Sequence, residues 1–229
     1  MTGLQLKKAR KKLRLTQDEA ARKLGVSQSY FSLLEKGKRP LGDTLTKKAV
    51  NLFHLSPTAL PIKAGLKSLR PATNEKLVKE LAAFDYLGYS HVKASAPRNP
   101  VDVLAAVLCA DNLEGRLVEA LPWVLLKFSD MQWSKLVDVA KLKDRQNRLG
   151  FLTSLARKLA EKSGDEKKAT QFKRREQSLE QSRLAKSDTL CREKMTESEK
   201  AWIMQTRSKE AAHWNILSNL SVDYLSYGK

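Results

Sequence analysis

Cysteine is scarce in this chain of 229 residues: the two present, Cys109 and Cys191, are too few for a disulfide framework or a zinc knuckle. A reduced, cytoplasmic protein is therefore the expectation. Long apolar runs are missing too. The longest, Val103 to Ala110, falls far short of the about 20 residues that span a bilayer. The N-terminus is basic but no apolar stretch follows it, so a secretory signal is not expected. Alternating Val/Ile/Thr segments joined by Asn-Gly turns, the marks of strands, are lacking. So are an internal repeat, a Gly-rich phosphate loop and a nucleophile elbow. His54 and His91 have no acidic or thiol neighbours at ligand spacing, so no metal and no cofactor is expected. With no constellation for catalysis, the chain does not read as an enzyme.

Positive charge is what the chain has in excess. Lys and Arg number 43 against 25 Asp and Glu, a net charge of +18. Residues 1–70 hold 16 basic and 4 acidic residues, a net of +12. Residues 71–163 (14 against 11) and 164–229 (13 against 10) each contribute only +3. Solubility alone would not require the charge to be gathered at one end. A basic unit joined to near-neutral ones points to a polyanionic partner, most simply nucleic acid.

Helical signals recur along the whole length, so the expected fold class is all-α. Four parts follow from the punctuation: residues 1–62, a connector with one helix over 63–100, an apolar helical bundle over 101–163, and a charged helical extension over 164–229. The second part holds a helix from Glu75 to Leu87, ended by Gly88. The two prolines of Ala94-Ser-Ala-Pro-Arg-Asn-Pro100 mark a linker. In the third part Leu113, Leu117, Leu121, Val124, Leu125 and Phe128 recur at three- and four-residue spacing and form one stripe, within which Pro122 kinks or breaks the helix. Stripes over Trp133–Ala140 and Leu149–Leu159 complete a bundle. Ser163-Gly164-Asp165 opens the last part. From Lys167 to Met195 apolar residues are sparse, which predicts a helix that bridges solvent, docks on a partner or is only partly ordered. Trp123 and Trp133 are expected as core anchors. Trp202 and Trp214 fit either a core or an interface.

The strongest local pattern runs from Leu15 to Lys38. Thr16 followed by Glu19 is a capping box that starts a helix. Ala21 and Leu24 give that helix a buried face, and Gly25 permits a tight turn. Ser27 caps a second helix, with Val26 and Phe31 placed as a hydrophobic staple. Phe31 and Leu34 face inward and Gly37 ends the helix. Two short helices joined by a glycine turn make a helix-turn-helix.

Residues 4–60 resemble the Cro-type (XRE-family) helix-turn-helix domain of phage repressors and bacterial regulators. The likeness rests on Leu6, Arg10, Leu15-Thr16-Gln17, Ala21, Leu24-Gly25-Val26-Ser27-Gln28, Ser32, Leu34-Glu35, Gly37 and Pro40, in order and without gaps. It implies a five-helix domain, with a fourth helix over Thr44–Phe53 and a fifth started by Ser56-Pro57. It also implies roles. Gln28, Ser29 and Ser32 would read base edges in the major groove, Gln28 being suited to adenine. Gln17, Lys36, Lys38 and Arg39 would hold phosphates, and Arg10 and Glu35 would form an ion pair inside the domain. Leu33 stands where the family often has a basic or polar residue, and packing suits it better than a thymine contact. Ala20 is smaller than the family's usual leucine, and Leu13-Arg14 replaces a common polar-Gly or polar-Asn pair. These departures touch packing only.

The resemblance implies a regulator of transcription, read as a repressor that binds a double-stranded operator as a homodimer. The alternative is an autoregulating antitoxin whose C-terminal helices neutralise a co-encoded toxin. Asn112 to Trp123 looks like regulators encoded beside nucleotidyltransferase-type toxins. Two catalytic readings carry less weight. Ala64-Gly65 superficially resembles the cleavage site of self-cleaving repressors, whose peptidase is β-rich, unlike this chain. Arg207 and His213 match the Arg-x5-His spacing of HEPN-type ribonucleases, but almost two helical turns would set them off one line. A surface arginine and a packed histidine explain them better.

Overall fold

Thr2, Thr16 and Ser27 turn the chain into helix by one device. Each side-chain oxygen accepts from the backbone N–H three residues on. At Thr2 and Thr16 a return bond to Gln5 and Glu19 closes a capping box. These starts set α1 (Gly3–Lys12), α2 (Gln17–Leu24) and α3 (Gln28–Glu35), and α4 (Asp43–Leu52) follows. The structure, a computed structural model, describes residues 1–63, 69–192 and 194–225. The chain divides into two compact units, Met1–Lys63 and Ala64–Lys229.

The first unit closes on Leu6, Ala9, Ala20, Ala21, Leu24, Phe31, Leu34, Ala49 and Phe53. Ala20 is completely buried there, so its small size is part of the packing. A Cβ on Gly3 would lie 2.1 Å from the Leu34 carbonyl oxygen, so α1 can meet the end of α3 only through a glycine. The expected fifth helix is a single 3₁₀ turn, Pro57–Ala59. Ser56 caps it, but Pro61 drives Leu60 into extended backbone (ψ 152°) and stops it.

The second unit begins its regular structure with α5 (Asn74–Ala83). This helix ends before the expected Leu87, because Asp85 takes a left-handed φ of 59° and the chain then makes a 3₁₀ turn at Leu87–Tyr89. Asn99, at the end of the expected linker, is buried and caps α6 (Pro100–Leu108) by accepting from Val101 N at 2.9 Å. Every residue of α6 is buried. Pro122 breaks the next stripe into α7 (Gly115–Glu119) and α8 (Leu121–Lys127), which meet at Ala120. Then come α9 (Trp133–Leu142), α10 (Gln146–Lys162) and α11 (Glu166–Glu180). After β1 (Asp188–Thr189), α12 (Glu197–Thr206) and α13 (Lys209–His213), β2 (Ile216–Leu217) pairs with β1 in parallel, Asp188 opposite Ile216. A 3₁₀ turn at Val222–Tyr224 follows. The architecture is helical with almost no sheet, in keeping with the all-α expectation.

Helix α10 is the axis of this unit: α8, α9, α11, α13 and both strands pack against it. The polar segment from Lys167 onward is not the loosely held helix its composition suggested. The short turn through Gly164 (φ 72°) folds α11 back along α10. Phe172 and Leu179, one heptad apart, are completely buried. The polar positions between them find partners on α10: Glu176 accepts from Ser154 Oγ (2.6 Å) and Arg157 Nε (2.7 Å). A narrow apolar seam with satisfied polar flanks is enough to dock a charged helix.

The tryptophans sort differently from the expectation as well. Trp214 is the fully buried one. Its ring fills the slot over Gly150, where a Cβ would come within 2.4 Å of it, and its Nε1 donates to Ser154 Oγ at 2.8 Å. Trp123 and Trp133 are half-buried, against Tyr86 and beneath Arg175. Trp202 is 56% exposed.

Candidate nucleic-acid interface

Gly25 supplies the corner between α2 and α3. At φ 79° its N–H and that of Val26 both return to Ala21 O, at 2.8 and 3.0 Å. Lys48, reaching over from α4, donates to Leu24 O at 2.8 Å and places a cation at the C-terminal end of α2. Phe31 is buried and Val26 packs against the same cluster, as a staple would require. With Phe31, Leu34 and Glu35 turned inward, α3 presents Gln28 and Ser29 fully and Ser32 and Leu33 in part.

A continuous line of hydrogen bonds runs from the interior to this face. Arg10 donates to Glu35 through Nε (2.7 Å) and Nη2 (3.2 Å), and through Nη1 to Leu15 O (2.7 Å). Gln17 Nε2 donates to Glu35 Oε2 at 2.7 Å, and Gln28 Nε2 donates to Gln17 Oε1 at 3.1 Å. Burial works against the charge on Glu35, but the bonds from Arg10 and Gln17 outweigh it and hold its carboxyl below the usual range. The ion pair thus anchors Gln17, and Gln17 orients Gln28. These bonds leave Gln17 one amide hydrogen, and leave Gln28 its own Oε1 and one amide hydrogen, an acceptor and a donor on one exposed group.

Beyond α3, Gly37 (φ 69°) lets the backbone N–H groups of Lys38 and Arg39 fold back on Leu33 O, at 2.9 and 3.4 Å. This gathers Lys36, Lys38 and Arg39, all exposed, in one turn. Lys7, Lys8, Lys11, Lys12 and Arg14 are exposed on and just after α1. Such cations suit phosphates, whose counterions they would displace. The Thr2 cap, the Gly3 contact and the Lys48 cap were not read from sequence. The Thr2–Gln5 spacing was the available signal for the first, and the other two span long sequence distances.

The remaining candidates lie in the second unit or outside the described residues. Arg207 and His213 do not share a helix, because the chain breaks between α12 and α13. Arg207 is half-buried and donates to Ile216 O, whereas His213 is exposed and meets Glu180. The expected surface arginine and packed histidine are thus reversed. Ala64-Gly65 lies outside the described residues. Among the described residues no group of three or more His, Cys, Asp or Glu is placed to hold a metal ion, and no helix is long and apolar enough to cross a membrane.

The fold and the exposed face of α3 define a helix-turn-helix, the class of module that enters the major groove. A family model described as helix-turn-helix matches residues 6–60, which hold α2, α3 and α4 and most of α1. Residues 6–60 are thus a helix-turn-helix domain of the XRE type, a kind of domain that DNA-binding regulators carry. No curated protein and no solved structure matches the chain.

Proposed function

We propose that the chain is a transcriptional repressor that reads its operator with the exposed face of α3, Gln28 first among the base readers with Ser29 and Ser32 beside it. Gln17, Lys36, Lys38 and Arg39 hold the flanking phosphates. The line from Arg10 through Glu35 and Gln17 to Gln28 carries this reading, because it fixes the orientation of an exposed amide that has no packing role. One such unit covers only a few base pairs, so a homodimer on a two-fold operator is the natural assembly, with the second unit supplying the pairing surface. The test is a comparison of two variants on operator and random DNA. Gln28→Ala weakens operator binding by about 1–3 kcal/mol and leaves random DNA nearly unchanged. Lys38→Ala weakens both and flattens the salt dependence. Equal losses on both DNAs for both variants would remove Gln28 from base reading.

The antitoxin alternative now rests on a different observation. The segment after Lys167 is held by its own unit, so its polarity no longer calls for a partner. Trp202 and Met204 on α12 are large apolar groups left exposed, and such residues anchor protein interfaces. If a co-encoded protein binds there, it co-purifies with the intact chain and is lost from Trp202→Ala. Retention of the protein by that variant would count against this surface.

A further inference from the structure

Arg175 is a charge that the packing of the second unit does not account for. Only 9% of its surface is exposed. Its Nη2 donates to Ser129 O at 2.6 Å, and its guanidinium lies 4.7 Å from the Trp133 ring centre and 5.1 Å from that of Phe172. Its Nη1 is buried and has no acceptor among the described residues, and Trp133 Nε1 is in the same condition. Two donors on one stacked pair of side chains therefore lack acceptors. Leaving a buried donor unmatched costs about 1–3 kcal/mol, and more when it is charged. Burial lowers the guanidinium to about 10, which still leaves it a cation at neutral pH.

Beside Arg175, α11 lines an open groove of about 600 Å³ with Lys167, Thr170, Gln171, Arg174 and Arg175 itself. Each of these can donate a hydrogen bond and none is a carboxylate. Asp130 is the acidic group acting on Arg175, one negative charge against three positive ones. We infer that this face of α11 is a binding site for a phosphate group. A carboxylate is the weaker fit. It is satisfied by one arginine fork, whereas the groove offers the fork of Arg174, the ammonium of Lys167 and the hydroxyl of Thr170 beside Arg175, whose Nη2 serves Ser129 O. Donors on several separate side chains, with Gln171 Nε2 also given to Ser129 O, suit an anion that has more oxygens than a carboxylate. The inference stands on the second unit alone and does not depend on how α3 meets DNA.

The experiment follows the indole N–H resonance of Trp133 in the full chain, assigned with Trp133→Phe. All four tryptophans, at 123, 133, 202 and 214, lie in the second unit, so the signal does not come from the helix-turn-helix. Inorganic phosphate shifts this resonance saturably, and Lys167→Gln combined with Arg174→Gln weakens the effect about tenfold, as expected for loss of charge-assisted bonds. Both positions are exposed, so the fold survives the change. A short non-operator duplex is the second probe. A shift with duplex as well as phosphate assigns the source to a nucleic-acid backbone, and a shift with phosphate alone assigns it to a small phosphorylated molecule; either supports the site. No shift with either probe, or a shift undiminished in the double variant, overturns it. A shift with a poly-glutamate peptide but not with phosphate also overturns it and places an acidic protein there.

Discussion

Each unit is built around an arginine held by a carboxylate, and the two pairs are buried from opposite sides. In the first unit the carboxylate is the hidden partner: Glu35 has 1% of its side chain exposed and Arg10 has 11%. In the second unit the arginine is hidden: Arg148 has 2% exposed and Asp188 has 20%. Arg148 uses every N–H it has. Nε and Nη2 grip Asp188 at 2.8 and 3.0 Å, Nη1 donates to Leu108 O and Ala110 O at 3.0 and 2.6 Å, and Nη2 also reaches Asp111 at 3.1 Å. The contrast bears on what happens when a partner is removed. A buried carboxylate can take up a proton and become neutral. A guanidinium cannot lose its charge in the accessible pH range. The second pair is therefore the less forgiving one.

The comparison can be broken at three points, in decreasing order of expected effect. Asp188→Ala strands the Arg148 charge and destabilises the second unit by about 3–5 kcal/mol. Denaturation followed by tryptophan fluorescence reads this directly, since every tryptophan is in that unit. A loss no larger than that of an exposed ion pair would mean that Asp111 and the two carbonyls suffice. Arg10→Met leaves Glu35 with Gln17 as its remaining donor and with protonation as a way out. The first unit should lose about 1–3 kcal/mol, which native-state hydrogen exchange on the full chain measures unit by unit. A loss equal to that of Asp188→Ala would erase the distinction between the two pairs.

The smallest effect is a matter of pH. Glu35 holds its proton less tightly folded than unfolded, where the usual value is near 4.5. Its stabilising contribution is complete above that value and is lost as pH falls through the lower, folded one. Acid should therefore loosen the exchange protection of α1–α3, and Glu35→Gln should flatten that slope at the expense of stability at neutral pH. An unchanged slope in Glu35→Gln would show that other carboxylates set the acid limit.

The same contrast explains how far the sequence could be read. Thr16 with Glu19, Gly25 and Ser27 act on neighbours within a few residues, so the helix starts and the corner of the helix-turn-helix are legible from local chemistry. The pairing of Arg10 with Glu35 spans 25 residues and came only through family resemblance. Arg148 and Asp188 are 40 apart, with no resemblance to link them, and Trp214 lies over Gly150 from 64 residues away, a contact no periodicity announces. The polarity of α11 misled for a related reason. Its apolar seam is two residues wide, and the acceptors and donors that satisfy its flanks, Ser154 and Arg157, belong to another helix. Pro61 ended the expected fifth helix through a rule that local reading does contain, the restriction a proline puts on the residue before it.

The placement of Trp214 has a consequence for the order in which the molecule is made. Synthesis runs from the N-terminus, and domains tend to fold as they emerge. The residues of the first unit need nothing beyond Lys63 for their core. The slot over Gly150 stays open until residue 214 leaves the ribosome, and β1 has no strand partner until Ile216 does. A growing chain therefore acquires its helix-turn-helix unit well before the rest of the molecule can close. Any premature stop between these points would release a folded helix-turn-helix joined to a second unit with an unfilled core.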